Sequence, residues 1–292
     1  MLNKKHVIPI SGKDSLCAAI IQKKIRPDIN YEYFFNDTGL ELPETYQWLK
    51  DIEKILKINL VRVGESLIDI IHLQGILPSP KVRFCTRMSK IYPMEDFLKG
   101  NESTVYFGLR YDERNRGGYK PSSKKISIIP KYPLIENKID LNGVYDIVPA
   151  NLLPPTFFWP KLFNRVKEFL GPLGEQLKEE NLSDLEKRVL FSWRSRPNCY
   201  NCFFMRYYEF VGLYEFHPDL FQDAVKLEQD VGGYGFTIKQ NSLPEILKKA
   251  DYYINRRAKQ VSEVIKINAQ KTFYFDNDDT LADYNCGIFC GK

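Results

Sequence analysis

Short apolar runs alternate with amphipathic stretches through the first half of the chain. His6–Ile10 and Asn59–Val63 read as short buried strands, and Tyr31–Phe35 as a strand rich in aromatics. Between them, Asp14–Lys24 puts Leu16, Ala19 and Ile20 on one face at helical spacing. Pro43–Lys57 reads as a second helix, with Pro43 suited to its first turn. Thr86–Lys99 reads as a helix despite Pro93, and Thr104–Gly108 as a further strand. Such alternation predicts an α/β fold, a mostly parallel sheet covered by helices. Ligands of such sheets sit outside the carboxyl ends of the strands.

The texture changes near residue 150. Pro154, Pro155 and Pro160 punctuate a junction, and helical patterns follow at 161–170, 183–193, 219–230 and, in one or two pieces, 243–267. This divides the chain into 1–150 and a mainly helical 151–292 that ends in an irregular, Cys-bearing tail from 271. Residues 114–125 (RNRGGYKPSSKK) carry five basic and no acidic side chains. With Gly117, Gly118 and Pro121 they read as a loop, either a solvated connector or a mobile lid drawn to phosphate.

Composition narrows the class. The chain has 292 residues, 43% hydrophobic and 27% charged, which excludes disordered and collagen-like chains. No apolar run approaches a membrane span, and Val7–Ile10 is too short for a secretory core, so a cytoplasmic protein is expected. The net charge of +5 is compatible with an anionic substrate without requiring one.

The strongest local chemistry is Ser11-Gly12-Lys13-Asp14-Ser15, between the first strand and the first helix. Glycine permits close backbone approach, a helix start presents N–H groups to anionic oxygens, and Lys13 adds charge. Asp14 is placed to orient the loop or help hold Mg²⁺. Cys199-Tyr200-Asn201-Cys202 has knuckle spacing, and Cys286 and Cys290 form a second close pair. Together they could make a tetrahedral Cys₄ site for Zn²⁺ or hold an iron–sulfur cluster, and redox-active thiols remain an alternative. Cys85 lies beside Arg83, where arginine could lower its pKa, and Cys17 falls on the apolar face of the first helix. Phe273–Leu281 looks like the first motif of haloacid-dehalogenase phosphatases, but 11 residues follow it, too few for the remaining parts. His6, His72 and His217 show no ligand spacing.

Taken in order, SGKDS, DTGLELPET (37–45), RFCTRMSKIYP (83–93) and GLRYDE (108–113) resemble the phosphoadenylyl-sulfate reductase family of PP-loop enzymes. The resemblance runs from about residue 6 to 136 and returns around Cys199. It implies a five-stranded, doubly wound sheet with an adenine nucleotide over the first strand–helix turn. Ser11, Gly12, Lys13, Asp14 and Ser15 would bind its phosphates, and Asp37 would lie beside the nucleotide or its metal. Arg83, Lys90 and Arg110 would neutralise phosphate or sulfate, and Gly108 would bring backbone close to the adenine. Lys13, Asp14, Asp37 and Cys85 are the candidates for direct roles in the chemistry.

The resemblance implies an enzyme that uses Mg²⁺–ATP, adenylates a substrate with release of pyrophosphate, and serves sulfur transfer, with a nucleic acid or a sulfur-donor protein as partner. A sulfonucleotide reductase is the second reading. Its carboxy-terminal Glu-Cys-Gly-Leu-His has its nearest counterpart in Asn285–Phe289, without the glutamate and the histidine. A nucleotide-binding subunit without chemistry is the third.

Overall fold

The computed structural model describes residues 3–123, 126–196, 199–232, 235–237 and 241–270. Five strands, β1 (Asn3–Pro9), β2 (Tyr31–Asn36), β3 (Leu60–Val63), β4 (Asn101–Tyr106) and β5 (Ile128–Lys131), form one sheet in the order β3-β2-β1-β4-β5. Every pairing is parallel. Parallel neighbours need crossovers, and the helices α1 (Lys13–Ile25), α2 (Pro43–Leu56) and α3 (Leu67–Gln74) belong to these connections. The central strand is apolar on both faces: Val7 and Ile8 are fully buried, each in a different cluster. That is the signature of a strand covered by helices on both sides.

The expected helix over 86–99 forms as an unbroken helical run from Phe84 to Leu98, with Arg87–Ile91 as a π-helical turn inside it. That turn lies directly before Pro93, whose missing N–H would cost a hydrogen bond in a regular α-helix.

The carboxy-terminal half is helical, as its patterning indicates. Pro160–Leu170 buries Leu162, Phe163, Val166 and Leu170 along one stripe and packs on the long helix Ala250–Gln270. Each such side chain contributes about 1.5–3 kcal/mol by leaving water. Residues 243–267 fall into two pieces, a short helix, Leu243–Leu247, and the separate long one. One element departs from the expected pattern: Tyr207–Phe216 forms an additional helix. The core of this half also takes in Leu40, Leu42, Leu67, Ile70 and Ile71 from the sheet-bearing half, so one hydrophobic cluster runs across the junction.

The basic loop is pinned over its described part. Tyr119 is buried, its hydroxyl donating to Glu95 Oε1 at 2.7 Å and its N–H to the Tyr132 hydroxyl at 2.8 Å. Ser122 donates its N–H to Glu95 Oε1 at 2.9 Å and its hydroxyl to Oε2. Gly118 lies so close to the Tyr132 ring that a Cβ would overlap the hydroxyl. Tyr119 and Ser122 are therefore anchored, where the sequence suggested a free connector or lid.

Candidate nucleotide site

In the order β3-β2-β1-β4-β5 the direction of winding reverses between β1 and β4. The crevice outside the carboxyl ends of these two strands is where ligands of open parallel sheets bind. Ser11–Ser15 leaves β1 on one side of it, and Gly108–Glu113 follows β4 on the other.

The first intrahelical bond of α1 runs from Leu16 N–H to Gly12 O at 3.1 Å, so the N–H groups of residues 13–15 project from the helix end. The Ser15 hydroxyl reaches back to accept from the Ser11 and Gly12 N–H groups at 2.9 and 3.1 Å and donates to Gly12 O. Gly12 itself is extended, with φ 175°, so the turn does not depend on a left-handed glycine. The glycine that the architecture requires is Gly108. A Cβ there would stand 2.5 Å from Ser15 N and 2.6 Å from the Asp14 carbonyl carbon. The chain leaving β4 thus lies directly on the start of α1, and Gly108 brings backbone close to this loop.

Arg110 locks the same junction. It is 2% exposed. Its Nη1–H donates to Asp14 Oδ2 at 3.0 Å, its Nε–H to both Asp112 oxygens, and its Nη2–H to Asp112 Oδ2 at 2.9 Å. Glu113 stands 3.6 Å from it. Burial pushes the Asp14 carboxyl up, but Lys13, 3.1 Å away, and Arg110 together outweigh it and hold Asp14 below the usual carboxylate range. Burial works against the Arg110 charge as well, and Asp14 and Asp112 overcome it. The guanidinium that the sequence suggested for phosphate or sulfate is held by three carboxylates, a planar fork matched bidentately to Asp112.

Asp37 directly follows β2. Its Oδ1 accepts from the Tyr46 hydroxyl at 2.7 Å and the Gly39 N–H at 3.0 Å, and its Oδ2 faces Arg62 Nη1 at 3.3 Å. Gly64 is forced by this loop, since a Cβ would fall 1.9 Å from Asp37 O. Next to it is a buried carboxyl that the sequence reading did not single out. Glu41 accepts from the Thr38 hydroxyl at 2.8 Å, the Thr38 N–H at 3.3 Å and the Tyr46 hydroxyl at 3.2 Å. Burial raises its pKa, against Lys90 and the Thr38 bonds, which lower it. The Thr-x-x-Glu spacing of 38–41 is the sequence signal for this pairing.

The cysteines meet this loop. Thr38 Oγ1 is 3.3 Å from Cys199 Sγ, and Tyr200 N–H donates to Leu40 O at 2.7 Å. Burial pushes the Cys199 thiol up to about 12, with Glu41 adding to it and Lys90 opposing; the Cys85 thiol is near enough to raise it further. Arg83 stacks on the Phe204 ring at 5.2 Å, and its buried Nε and Nη2 have no hydrogen-bond partner. Lys90 enters from the other side, its carbonyl accepting from Asn36 Nδ2 at 3.1 Å. Cys17 is a buried thiol in the apolar core, as expected. Cys286 and Cys290, and the 273–281 segment, lie outside the described residues. Among the described residues, no three His, Cys, Asp or Glu side chains stand together closely enough to hold a metal ion. No described helix is long and apolar enough to cross a membrane.

Residues 5–135 match the family model of the phosphoadenosine phosphosulfate reductase domain. The sheet-bearing unit thus resembles a domain of this family. The chain is also similar to two proteins of Methanocaldococcus jannaschii that are themselves uncharacterised. It is 29% identical to MJ0973 over 150 residues, 49% of this chain and 34% of that protein. It is 30% identical to MJ0066 over 176 residues, 56% of this chain and 35% of that protein. The chain thus spans about a third of the length of these curated relatives. A phosphoadenylyl-sulfate reductase from Candida auris, solved with phosphate, superposes with a TM-score of 0.37 at 17% identity, over 53% of this chain and 75% of that one. That likeness is too distant to carry an argument about function.

Proposed function

We propose that the chain binds ATP at the β1–β4 crevice and adenylates a substrate with release of pyrophosphate, in the service of sulfur transfer. The observation that carries this reading is the juxtaposition of the α1 amino end and Lys13 with the chain leaving β4, locked by Gly108 and the Asp14–Arg110 pair. A substrate oxygen attacks the α-phosphorus, the bond to the bridging oxygen of the β-phosphate breaks, and pyrophosphate leaves with that electron pair. The N–H groups of residues 13–15 and the Lys13 ammonium stabilise the leaving charge. Asp14, kept ionised, orients Lys13. Arg110 acts through Asp14 as a positioning residue, and its charge adds to the field felt by phosphate or sulfate oxygens. Mg²⁺ brought in with the nucleotide would supply further neutralisation. Asp37 fits that task in kind, as a half-buried carboxylate whose Oδ2 is held by exposed Arg62.

For the cysteines, the proposal is a thiolate centre built on Cys199 and Cys202, completed by Cys286 and Cys290. The donor chemistry fits, two thiols on one turn being half of a tetrahedral set. Metal content in the Cys85→Ser, Cys199→Ser and Cys286→Ser variants decides the ligand set. Loss in the second and third alone supports the four named cysteines, and full occupancy in all three ends the metal reading.

Turnover with radiolabelled ATP tests the activity itself. Pyrophosphate release supports adenylation. Sulfite release from a sulfonucleotide, with a cysteine–thiosulfonate adduct, would replace it by the reductase reading. Binding without turnover would leave a nucleotide-binding subunit.

A further inference from the structure

Beside the β1–β4 crevice the chain gathers cations that the nucleotide reading leaves without a task. Residues 114–123 and 126–138 carry five basic side chains and one acidic one, most of the chain's net charge of +5. Arg114, Lys120, Lys131 and Lys138 are exposed. Among the described cations of this stretch, Arg116 alone has a carboxylate partner, Glu113 at 2.6 Å. A loose connector would let like charges drift apart, but here the backbone holds them together. Tyr111 N–H donates to Ile139 O at 2.8 Å, which sets Lys138 beside the turn that carries Arg114. Tyr119 N–H donates to the Tyr132 hydroxyl, which brings the neighbours Lys120 and Lys131 to one place. Buried Glu95 accepts from Tyr119 and Ser122, on either side of Lys120. Lys131 ends β5 in register with Tyr106 at the end of β4, so the array follows the rim at the carboxyl ends of these strands. Its root is tied to the crevice: Asp14 pairs with Arg110 at 3.0 Å, Arg110 stands 3.6 Å from Glu113, and Glu113 pairs with Arg116.

An array held in place has already met part of the ordering cost of binding, and it selects its partner by charge. Lysine ammoniums are point charges that serve phosphate oxygens from any direction, and a row of them suits a row of phosphates. Protein interfaces instead deplete lysine and place apolar and aromatic side chains at their centre. Among the described residues of this stretch, Ile129 is the one large apolar side chain that is exposed. The Arg114 guanidinium stands over the Tyr111 ring at 4.4 Å, a cation–aromatic pair of the kind on which bases stack.

We infer that this rim is a nucleic-acid-binding surface, on which Arg114, Lys120, Lys131 and Lys138 hold the phosphate backbone and lead the strand to the β1–β4 crevice as acceptor. The acceptor role rests on the adenylation reading given above; the surface itself does not.

The test uses the full chain and a fluorescein-labelled single-stranded RNA oligonucleotide of mixed sequence, with affinity from anisotropy over a series of salt concentrations. The logarithm of affinity is expected to fall linearly with the logarithm of salt. The combined Lys120→Gln, Lys131→Gln and Lys138→Gln variant should bind at least tenfold more weakly at low salt and lose about two from the slope. Tyr119→Phe, which removes the bond to Glu95 and no charge, should weaken binding several-fold at an unchanged slope. Lys248→Gln with Lys249→Gln, exposed lysines of the helical half, should leave affinity and slope as in wild type. Absence of binding by the wild type, an unchanged slope in the triple variant, or an equal loss in the Lys248 and Lys249 pair would overturn the inference. So would equally tight binding of polyglutamate or of anionic vesicles. ATP-dependent pyrophosphate release is followed in the same proteins. Release without oligonucleotide binding would strike the nucleic-acid surface alone. Oligonucleotide binding with the expected slope in a chain that releases no pyrophosphate would uphold the surface and strike the adenylation reading.

Discussion

The Thr38 hydroxyl lies 3.3 Å from the Cys199 thiol, although 161 residues separate them. The loop that follows β2 and carries Asp37 is thereby also the seat of the cysteine turn. Thr38→Val removes the hydroxyl that donates to buried Glu41 and leaves that carboxyl short of a partner. The expected cost is about 1–3 kcal/mol. A urea midpoint equal to wild type would refute the coupling.

Gly108 offers a clean steric test. Gly108→Ala drives a methyl into the backbone of Asp14 and Ser15, so the loop must move and nucleotide affinity should fall at least tenfold. Gly117→Ala meets nothing within 4 Å and should leave affinity within twofold. Calorimetric titration with ATP checks both, and equal affinities in the pair would contradict the assigned contact.

Arg110→Lys should destabilise the fold by about 1–3 kcal/mol and weaken nucleotide binding several-fold. One ammonium cannot replace a fork shared by Asp14 and Asp112, and the carboxylates left behind are partly buried. The Asp14 pKa is lowered in the fold, so its contribution to stability is present above the unfolded pKa and lost as pH falls through the folded one. The acid limb of the wild-type stability curve should therefore flatten in Asp14→Asn. An unchanged limb would remove Asp14 from the account.

Glu228 gives the opposite sign. It is buried and accepts from Phe236 and Leu243 N–H groups at 2.9 Å each. Burial lifts its pKa from 4.5 to about 7, the two N–H bonds notwithstanding. The folded state then holds a proton that the unfolded state has released. Stability falls as pH rises from about 4.5 to 7, by on the order of 3 kcal/mol. Glu228→Gln does not titrate, so its unfolding free energy should lose this slope, as urea denaturation at pH 5 and pH 7.5 would show. A retained slope would refute the assignment.

Four of the five strands are legible because each is a compact apolar run flanked by helical patterning. β5 is not: Ile128–Lys131 is four residues long, contains Pro130, and sits at the sheet edge with alternate residues exposed. The helix Tyr207–Phe216 is also hidden, because its apolar residues run nearly all around it and show little period. At the site, two of the segments named by the resemblance, 11–15 and 108–113, meet at the Gly108 contact and the Asp14–Arg110 pair. Residue type alone could not tell a phosphate-binding arginine from one also clasped by Asp14 and Asp112, since that depends on how β4 meets α1. Glu41 escaped notice for a similar reason: its burial depends on the helical half covering it.

The position of β1 has a consequence for how the chain is made. It pairs with β2 at once, but its other edge waits for β4, which begins about a hundred residues after β1 does. At synthesis rates of about 5–20 residues per second, that edge stays open for several seconds. An open apolar strand edge is a template for pairing with other chains. The β1–β4 crevice, which has β4 for one wall, cannot exist during that interval, so no ligand bound there can protect the nascent domain when it is most exposed to aggregation.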